Sequence, residues 1–189
     1  MVFAVIGGDR RQAHLAAQLM ADGNVVKAAA MEEAALPAGI IHTTTAEAVT
    51  GADCVVLPLP ALMKRGYLNA PMAAEPHCIG EVFGAMSPGQ LACAGMPDEY
   101  MRTLAELSGV RLRDYYLREE LLAKNAVATA EGVIGILLGE TRKTLWNSSI
   151  LIIGWGRLGR SLAPRLRALG AHVSVSARKP GDLAWIDAG

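Results

Sequence analysis

Apolar and polar positions follow two rhythms along this chain, one of short unbroken apolar runs and one of helical spacing. Residues 2–6 (VFAVI) form an apolar run that ends at two glycines and predict a strand. The segment 9–21 that follows carries Leu15, Leu19 and Met20 at helical spacing and predicts a helix. Strands are expected again at 24–29, 54–57, 90–93 and 110–114, with helices at 45–49, 79–86 and 98–107 between them. Alternation of this kind implies right-handed crossovers and a parallel sheet.

The pattern changes at "EELLAKNAVATAEGVIGILLGE", where a polar approach leads into a helix expected to be capped by Thr129 and to run to about 141. A short polar connection then precedes a strand at 150–153, a glycine turn, a helix bearing Leu158, Leu162, Leu166 and Leu169, and a strand in "GAHVSVSA". Strand, glycine turn and helix thus occur twice, as "FAVIGGDRRQ" and as "LIIGWGRLGR". The fold expected is α/β, with two Rossmann-like, doubly wound parallel-sheet domains joined by a helix and the second one truncated. The boundaries predicted are 1–128 for a flavodoxin- or Rossmann-like substrate domain, 129–146 for a connecting helix and linker, and 147–189 for the start of a dinucleotide-binding domain.

Composition narrows the choice of partners. With 52% apolar and 19% charged residues, the 189-residue chain can bury a sizeable core. Eighteen basic and eighteen acidic residues cancel, which argues against a general electrostatic grip on nucleic acid or an acidic membrane. The apolar stretch around 82–97 is broken by Ser87, Pro88 and Gly89 and falls short of the ~18 residues a span requires, so no membrane crossing is expected. Three widely spaced cysteines form neither a disulfide framework nor a metal motif, and the start of the chain is the reverse of a signal peptide. A cytoplasmic protein with small-molecule or protein partners is expected, with homo-oligomerisation left open.

Gly154, Gly156 and Gly159 occupy the three places of Gly-x-Gly-x-x-Gly. The first glycine of that pattern makes a tight turn, the second admits a diphosphate, and the third lets helix and strand pack closely. Backbone N–H groups at the helix start then favour an anion, so Gly154, Trp155, Gly156, Arg157, Leu158 and Gly159 are cofactor candidates. Trp155, inside the turn, is placed to shield the cofactor. Pro164 falls within the following helix and predicts a kink. An acid that would bind the ribose of NAD is expected at 177, yet that residue is Ala177. Ser176, Arg178 and Lys179 beside it suit a 2′-phosphate instead, which favours NADP over NAD.

The first glycine turn lacks a spaced third glycine, and Asp9 at its N-cap would repel a phosphate. Arg10, Arg11 and Gln12 open the helix after it and are candidates to clamp a substrate carboxylate, or else a wet helix face. Asn125, Thr129 and Glu131 offer an amide, a hydroxyl and a carboxylate that could orient substrate or move a proton, although a plain cap and a dipole-balancing acid explain them equally. No metal site is expected.

The opening "AVIGGDRRQ", the junction "NAVATAEG" and "GWGRLG" followed by "LGAHVSVSAR" together give a chain that resembles the family of the dipicolinate synthase A subunit, from spore-forming bacteria. The resemblance covers essentially the whole chain. Members are longer by about a hundred residues that complete the second sheet, so the chain reads as a fragment of such a protein. The resemblance implies NADP⁺-dependent oxidation of a dihydrodipicolinate, a small dicarboxylate, to pyridine-2,6-dicarboxylate in the mother cell of a sporulating bacterium. It also implies a partner, the B subunit of dipicolinate synthase. On that reading Glu131 accepts a proton while Asn125 and Thr129 orient the substrate. A hydroxyacid- or alanine-dehydrogenase-like oxidoreductase, or a non-catalytic dinucleotide-binding regulatory protein, stays open beside it.

Overall fold

The computed structural model describes residues 1–64 and 66–187. They fall into two compact units, Met1–Leu117 and Arg118–Gly189.

The first unit runs β1 (Val2–Ile6), α1 (Arg10–Ala21), β2 (Val25–Ala29), β3 (Ile41–His42), α2 (Thr45–Val49), β4 (Cys54–Val56), β5 (Leu62–Lys64), β6 (Tyr67–Leu68), α3 (Ile79–Ala85), β7 (Leu91–Ala94), α4 (Glu99–Leu107) and β8 (Arg111–Asp114). Short 3-10 turns lie at Glu33–Ala35 and Tyr115–Leu117. Six strands pair in the order β3-β2-β1-β4-β7-β8, every neighbour parallel, while β5 and β6 form a separate antiparallel hairpin. The chain winds outward from β1 to β3, then returns to β4 and winds the other way, as in doubly wound nucleotide folds.

Alternation along β1 shows why both faces must be covered. Ala4 and Ile6 join Val55, Leu57, Phe83 and Met101 in the core beneath α2, α3 and α4. Val5, between them, packs on the other face with Val26, Ala28 and Ala16 of α1. Side-chain caps start three of the helices: Asp9 accepts from Arg11 N for α1, Thr44 and Glu47 form a reciprocal capping box for α2, and Asp98 accepts from Met101 N for α4.

The second unit holds α5 (Glu119–Glu140), β9 (Ser149–Ile153), α6 (Arg157–Ala168), β10 (His172–Ser176) and α7 (Pro180–Asp187). Strands β9 and β10 are parallel, with Ser149 opposite His172 and Ile153 opposite Ser176. Ile150, Ile152, Val173 and Val175 share one face, packed with Leu162 and Leu166 of α6 and with Ala130, Val133 and Leu137 of α5. Helix α6 is continuous across Pro164.

Helix α5 departs from expectation. It begins at Glu119, ten residues before the expected cap, and Thr129 lies inside it with its hydroxyl donating to the Asn125 carbonyl at 2.7 Å. Glu119 and Glu120 in its first turn complement the positive end of the helix dipole, a start signal the apolar pattern does not contain. All of α5 belongs to the second unit, so the chain divides at Leu117 and Arg118 rather than along a connecting helix at 129–146. At 22 residues, with a mean hydropathy of 1.5 in its most apolar window, it is long and apolar enough to cross a membrane by length and composition alone. Only 11% of that window is buried. The strand β3, the β5–β6 hairpin and α7 are further elements that the apolar runs do not announce.

Candidate functional site

The second glycine turn joins β9 to α6 and is tied to the end of β10 by a Gly154 N–H bond to the Ser176 carbonyl at 2.7 Å. Gly154 has φ +112°, a conformation that L side chains rarely adopt. A β-carbon on Gly156 would meet no atom within 4 Å, so the backbone is open to close approach there. At Gly159 a β-carbon would run into the Gly154 carbonyl oxygen, and the residue is buried. The three glycines thus divide among turn, approach and packing as the pattern requires. No side chain caps the start of α6, whose N-cap is Gly156, so its first amides keep their donors for an incoming anion.

A cavity of about 720 Å³ opens in front of this turn. Gly154, Trp155, Gly156, Arg157, Ser176, Arg178 and Lys179 all line it, as do the carboxylates of Glu119 and Asp182. Leu158 and Gly159 do not. Trp155 packs partly against the core of the unit as well as facing the cavity.

The charged groups of the cavity sort into two sets. Arg157 pairs with Glu119 through Nε to Oε1 at 2.7 Å and Nη2 to Oε2 at 2.5 Å. That guanidinium holds the Glu119 carboxyl below its ordinary range. Arg160 donates to Asp182 at 2.9 Å and to the Trp155 carbonyl at 3.2 Å, bracing the turn against α7. Arg178 and Lys179, by contrast, have no ion-pair partner among the described residues. The unpaired cations therefore lie at the end of β10, beside Ser176 and Ala177.

In the first unit the structure separates Arg10, Arg11 and Gln12. Arg11 is committed: its guanidinium bonds both Asp9 oxygens, Nη2 at 2.8 Å, and the Leu59 carbonyl at 3.0 Å. The Asp9 carboxyl is held below its ordinary range by that bond, and Arg11 is raised in turn. Gln12 is only 7% exposed and folds onto Gly8, and its Nε2 has no hydrogen-bond partner among the described residues. Arg10 is exposed and lines a second cavity of about 730 Å³ with His14 and Glu32. Successive helix residues point about 100° apart, so the three cannot close on one carboxylate.

The α5 candidates are likewise divided. Asn125 and Thr129 are exposed on one face at i, i+4. Glu131 is exposed too, but two residues from Thr129 it projects about 200° away around the helix. No helix start lies among these residues, so Thr129 belongs to the helix interior rather than to a cap.

Sequence reading missed a set of residues at the carboxyl ends of the first sheet. Ala30 (φ 56°) and Met96 (φ 55°) are left-handed without being glycine, a strained state that clusters at functional sites. Tyr115 donates to the Leu57 carbonyl at 3.0 Å, and burial pushes its hydroxyl up to about 12. The Asp114 carboxylate accepts from Met96 N at 3.2 Å and Tyr116 N at 2.9 Å. No local motif marks these groups, since each depends on contacts between strands.

The family described as the N-terminal domain of the dipicolinate synthase A subunit matches residues 2–116. The dipicolinate synthase A subunit of Bacillus subtilis (strain 168) is 27% identical over 135 residues, which cover 71% of this chain and 46% of that protein. Among solved structures, the dipicolinate synthase A chain from Bacillus subtilis matches with a TM-score of 0.80 at 24% identity, over 100% of this chain and 64% of that one. Its counterpart from Bacillus halodurans gives 0.85 at 24%, over 99% and 65%. A transhydrogenase from Sinorhizobium meliloti shares the fold at 0.62 and 16% identity, over 98% and 62%. The chain thus spans about half the length of the curated relative and less than two thirds of each of these solved chains.

Proposed function

Because this chain belongs to the family of the dipicolinate synthase A subunit, through the N-terminal domain at residues 2–116, we propose that it works in an NADP-dependent oxidoreductase that converts a dihydrodipicolinate to pyridine-2,6-dicarboxylate. The observation that carries the cofactor part is the glycine turn at Gly154–Gly159, without a side-chain cap, opening on a cavity whose cations Arg178 and Lys179 have no ion-pair partner among the described residues. The first amides of α6 receive the diphosphate. Ser176, Arg178 and Lys179 hold the 2′-phosphate, and Ala177 presents no carboxylate to repel it. When bound, the nicotinamide supplies the hydride acceptor.

Arg10 is the cation offered to a substrate carboxylate, because Arg11 is already held by Asp9 and Leu59. Asn125 and Thr129, on one face of α5, are proposed to orient the substrate. Glu131, about 200° around the helix from Thr129, lies off the face that Asn125 and Thr129 share. The family relation also supports a cytoplasmic protein with the B subunit of the synthase as its partner.

The test is a calorimetric titration of the protein with NADP⁺ and NAD⁺, followed by an assay of reduced nicotinamide formed from dihydrodipicolinate, with and without the B subunit. Tighter binding of NADP⁺ and turnover in the assembled enzyme are expected. Binding without turnover in any combination would leave a regulatory dinucleotide-binding protein.

A further inference from the structure

Arg157 is the first residue of α6, and it sits at the wrong end of its helix. A cation there meets the positive end of the helix dipole and the unsatisfied N–H groups, an unfavourable place unless an anion is close. In this structure the anion is Glu119, the first residue of α5, which meets the guanidinium fork with both oxygens at 2.7 and 2.5 Å. Two parallel bonds of this kind leave little of the fork's facing edge for a second oxyanion. Both side chains are more than half exposed, Arg157 at 53% and Glu119 at 67%, so the pair is not locked in place by packing. Both also line the cavity in front of the glycine turn.

A diphosphate arriving at the first amides of α6 thus meets a carboxylate in the same cavity and an arginine that is already engaged. We propose that Glu119 is an internal competitor for the dinucleotide's diphosphate, holding the Arg157 guanidinium until the cofactor displaces it. This rests on the reading that the second unit binds a dinucleotide. Arg157 serves both states with one fork: Glu119 neutralises it in the free protein and a phosphate oxygen does so in the complex. The exchange sets affinity, because each binding event must break the ion pair and move a like charge away from the phosphates. It also frees the first turn of α5, so the start of that helix changes partners whenever the cavity fills.

Arg160 differs in this respect. Its partner Asp182 is only 23% exposed at the side chain, and Arg160 holds the Trp155 carbonyl as well, so that pair braces the turn rather than waiting for a ligand.

The experiment is calorimetric titration with NADP⁺ of four proteins: wild type, Glu119→Gln, Arg157→Ala and the double variant, each checked for native circular dichroism. Glu119→Gln keeps the shape and removes the charge, and it is expected to bind roughly two- to fivefold more tightly, the scale of one exposed ion pair. In the Arg157→Ala background the same change is expected to have almost no effect. Arg157→Gln, which removes the charge and keeps an N–H donor, replaces Arg157→Ala if the latter binds too weakly to measure, with the same expectation. Equal or weaker binding by Glu119→Gln overturns the proposal, and so does an equal gain with and without Arg157, which would reduce it to simple repulsion. If neither wild type nor Glu119→Gln binds NADP⁺, the dinucleotide reading itself has failed. If wild type binds and Glu119→Gln does not differ from it, only the competitor has.

Discussion

The carbonyl oxygen of Gly154 occupies the space that a side chain on Gly159 would need, well inside the 3.0 Å below which real β-carbons are essentially never found. Turn and helix are therefore packed backbone to backbone across five residues. Gly159→Ala is expected to lower stability by about 1–3 kcal/mol through overpacking and to abolish NADP⁺ binding. Gly156→Ala faces open space and is expected to shift stability by under about 0.5 kcal/mol while still weakening NADP⁺. Denaturant unfolding and a ligand titration on the two variants separate the structural glycine from the ligand-facing one.

Arg178 and Lys179 lie at the end of β10 without a carboxylate partner among the described residues. Replacing both with alanine is expected to weaken NADP⁺ about tenfold or more, the scale of a lost charge-assisted contact, and NAD⁺ by less than about threefold. Titration with the two cofactors side by side checks this. An equal loss for both would remove the assignment of the 2′-phosphate to these residues.

Thr129 tests the position of α5. A capping threonine replaced by alanine costs about 1 kcal/mol, whereas a threonine in a helix interior that bonds back to the preceding turn costs nothing or less. Thr129→Ala is therefore expected to leave stability unchanged or raise it by a few tenths of a kcal/mol, as read from the urea midpoint.

Tyr115 gives the first unit an alkaline limit. Its hydroxyl is raised from 10.0 to about 12, chiefly by burial, with Asp114 and Cys93 adding to the rise and Arg11 opposing it. Between those values the unfolded chain loses the proton first, so stability falls as pH rises from about 10 to 12 and levels off above. Tyr115→Phe is expected to flatten that slope while costing about 1 kcal/mol at neutral pH for the lost bond to the Leu57 carbonyl. Unfolding curves collected across the alkaline range test both halves.

Much of this architecture could be read from the chain because its signals are local. Helix α2 matches the expected bounds, and the strands β1, β2, β4, β7 and β8 fall within a residue of theirs; β1, β4 and β7 are unbroken apolar runs, which makes them the most legible. Seven of the nine residues assigned to the cofactor line one cavity, because the glycine turn supplies Gly154–Arg157 and the end of the paired strand, bonded to it from Gly154 N to the Ser176 carbonyl, supplies Ser176, Arg178 and Lys179. What escaped depends on distant contacts. β3 has only two residues, both exposed, so no apolar run marks it. Arg11 is engaged by Asp9 and by the Leu59 carbonyl from 48 positions away, and Glu119 reaches Arg157 from 38. For α5 two signals compete: the paired acids Glu119 and Glu120 mark the start, while Thr129, ten residues on, only imitates one.

Helix α5 also shapes how the protein behaves in a test tube. Its 22 residues make a rod about 33 Å long that turns Ala130, Val133 and Leu137 inward and leaves Ile136 at 65% and Leu138 at 56% in contact with water. Large apolar side chains left in water near one end of a helix favour association as concentration rises. Light scattering and recovery during preparation should therefore respond to Ile136→Lys or Leu138→Lys more than to any change at the glycine turn.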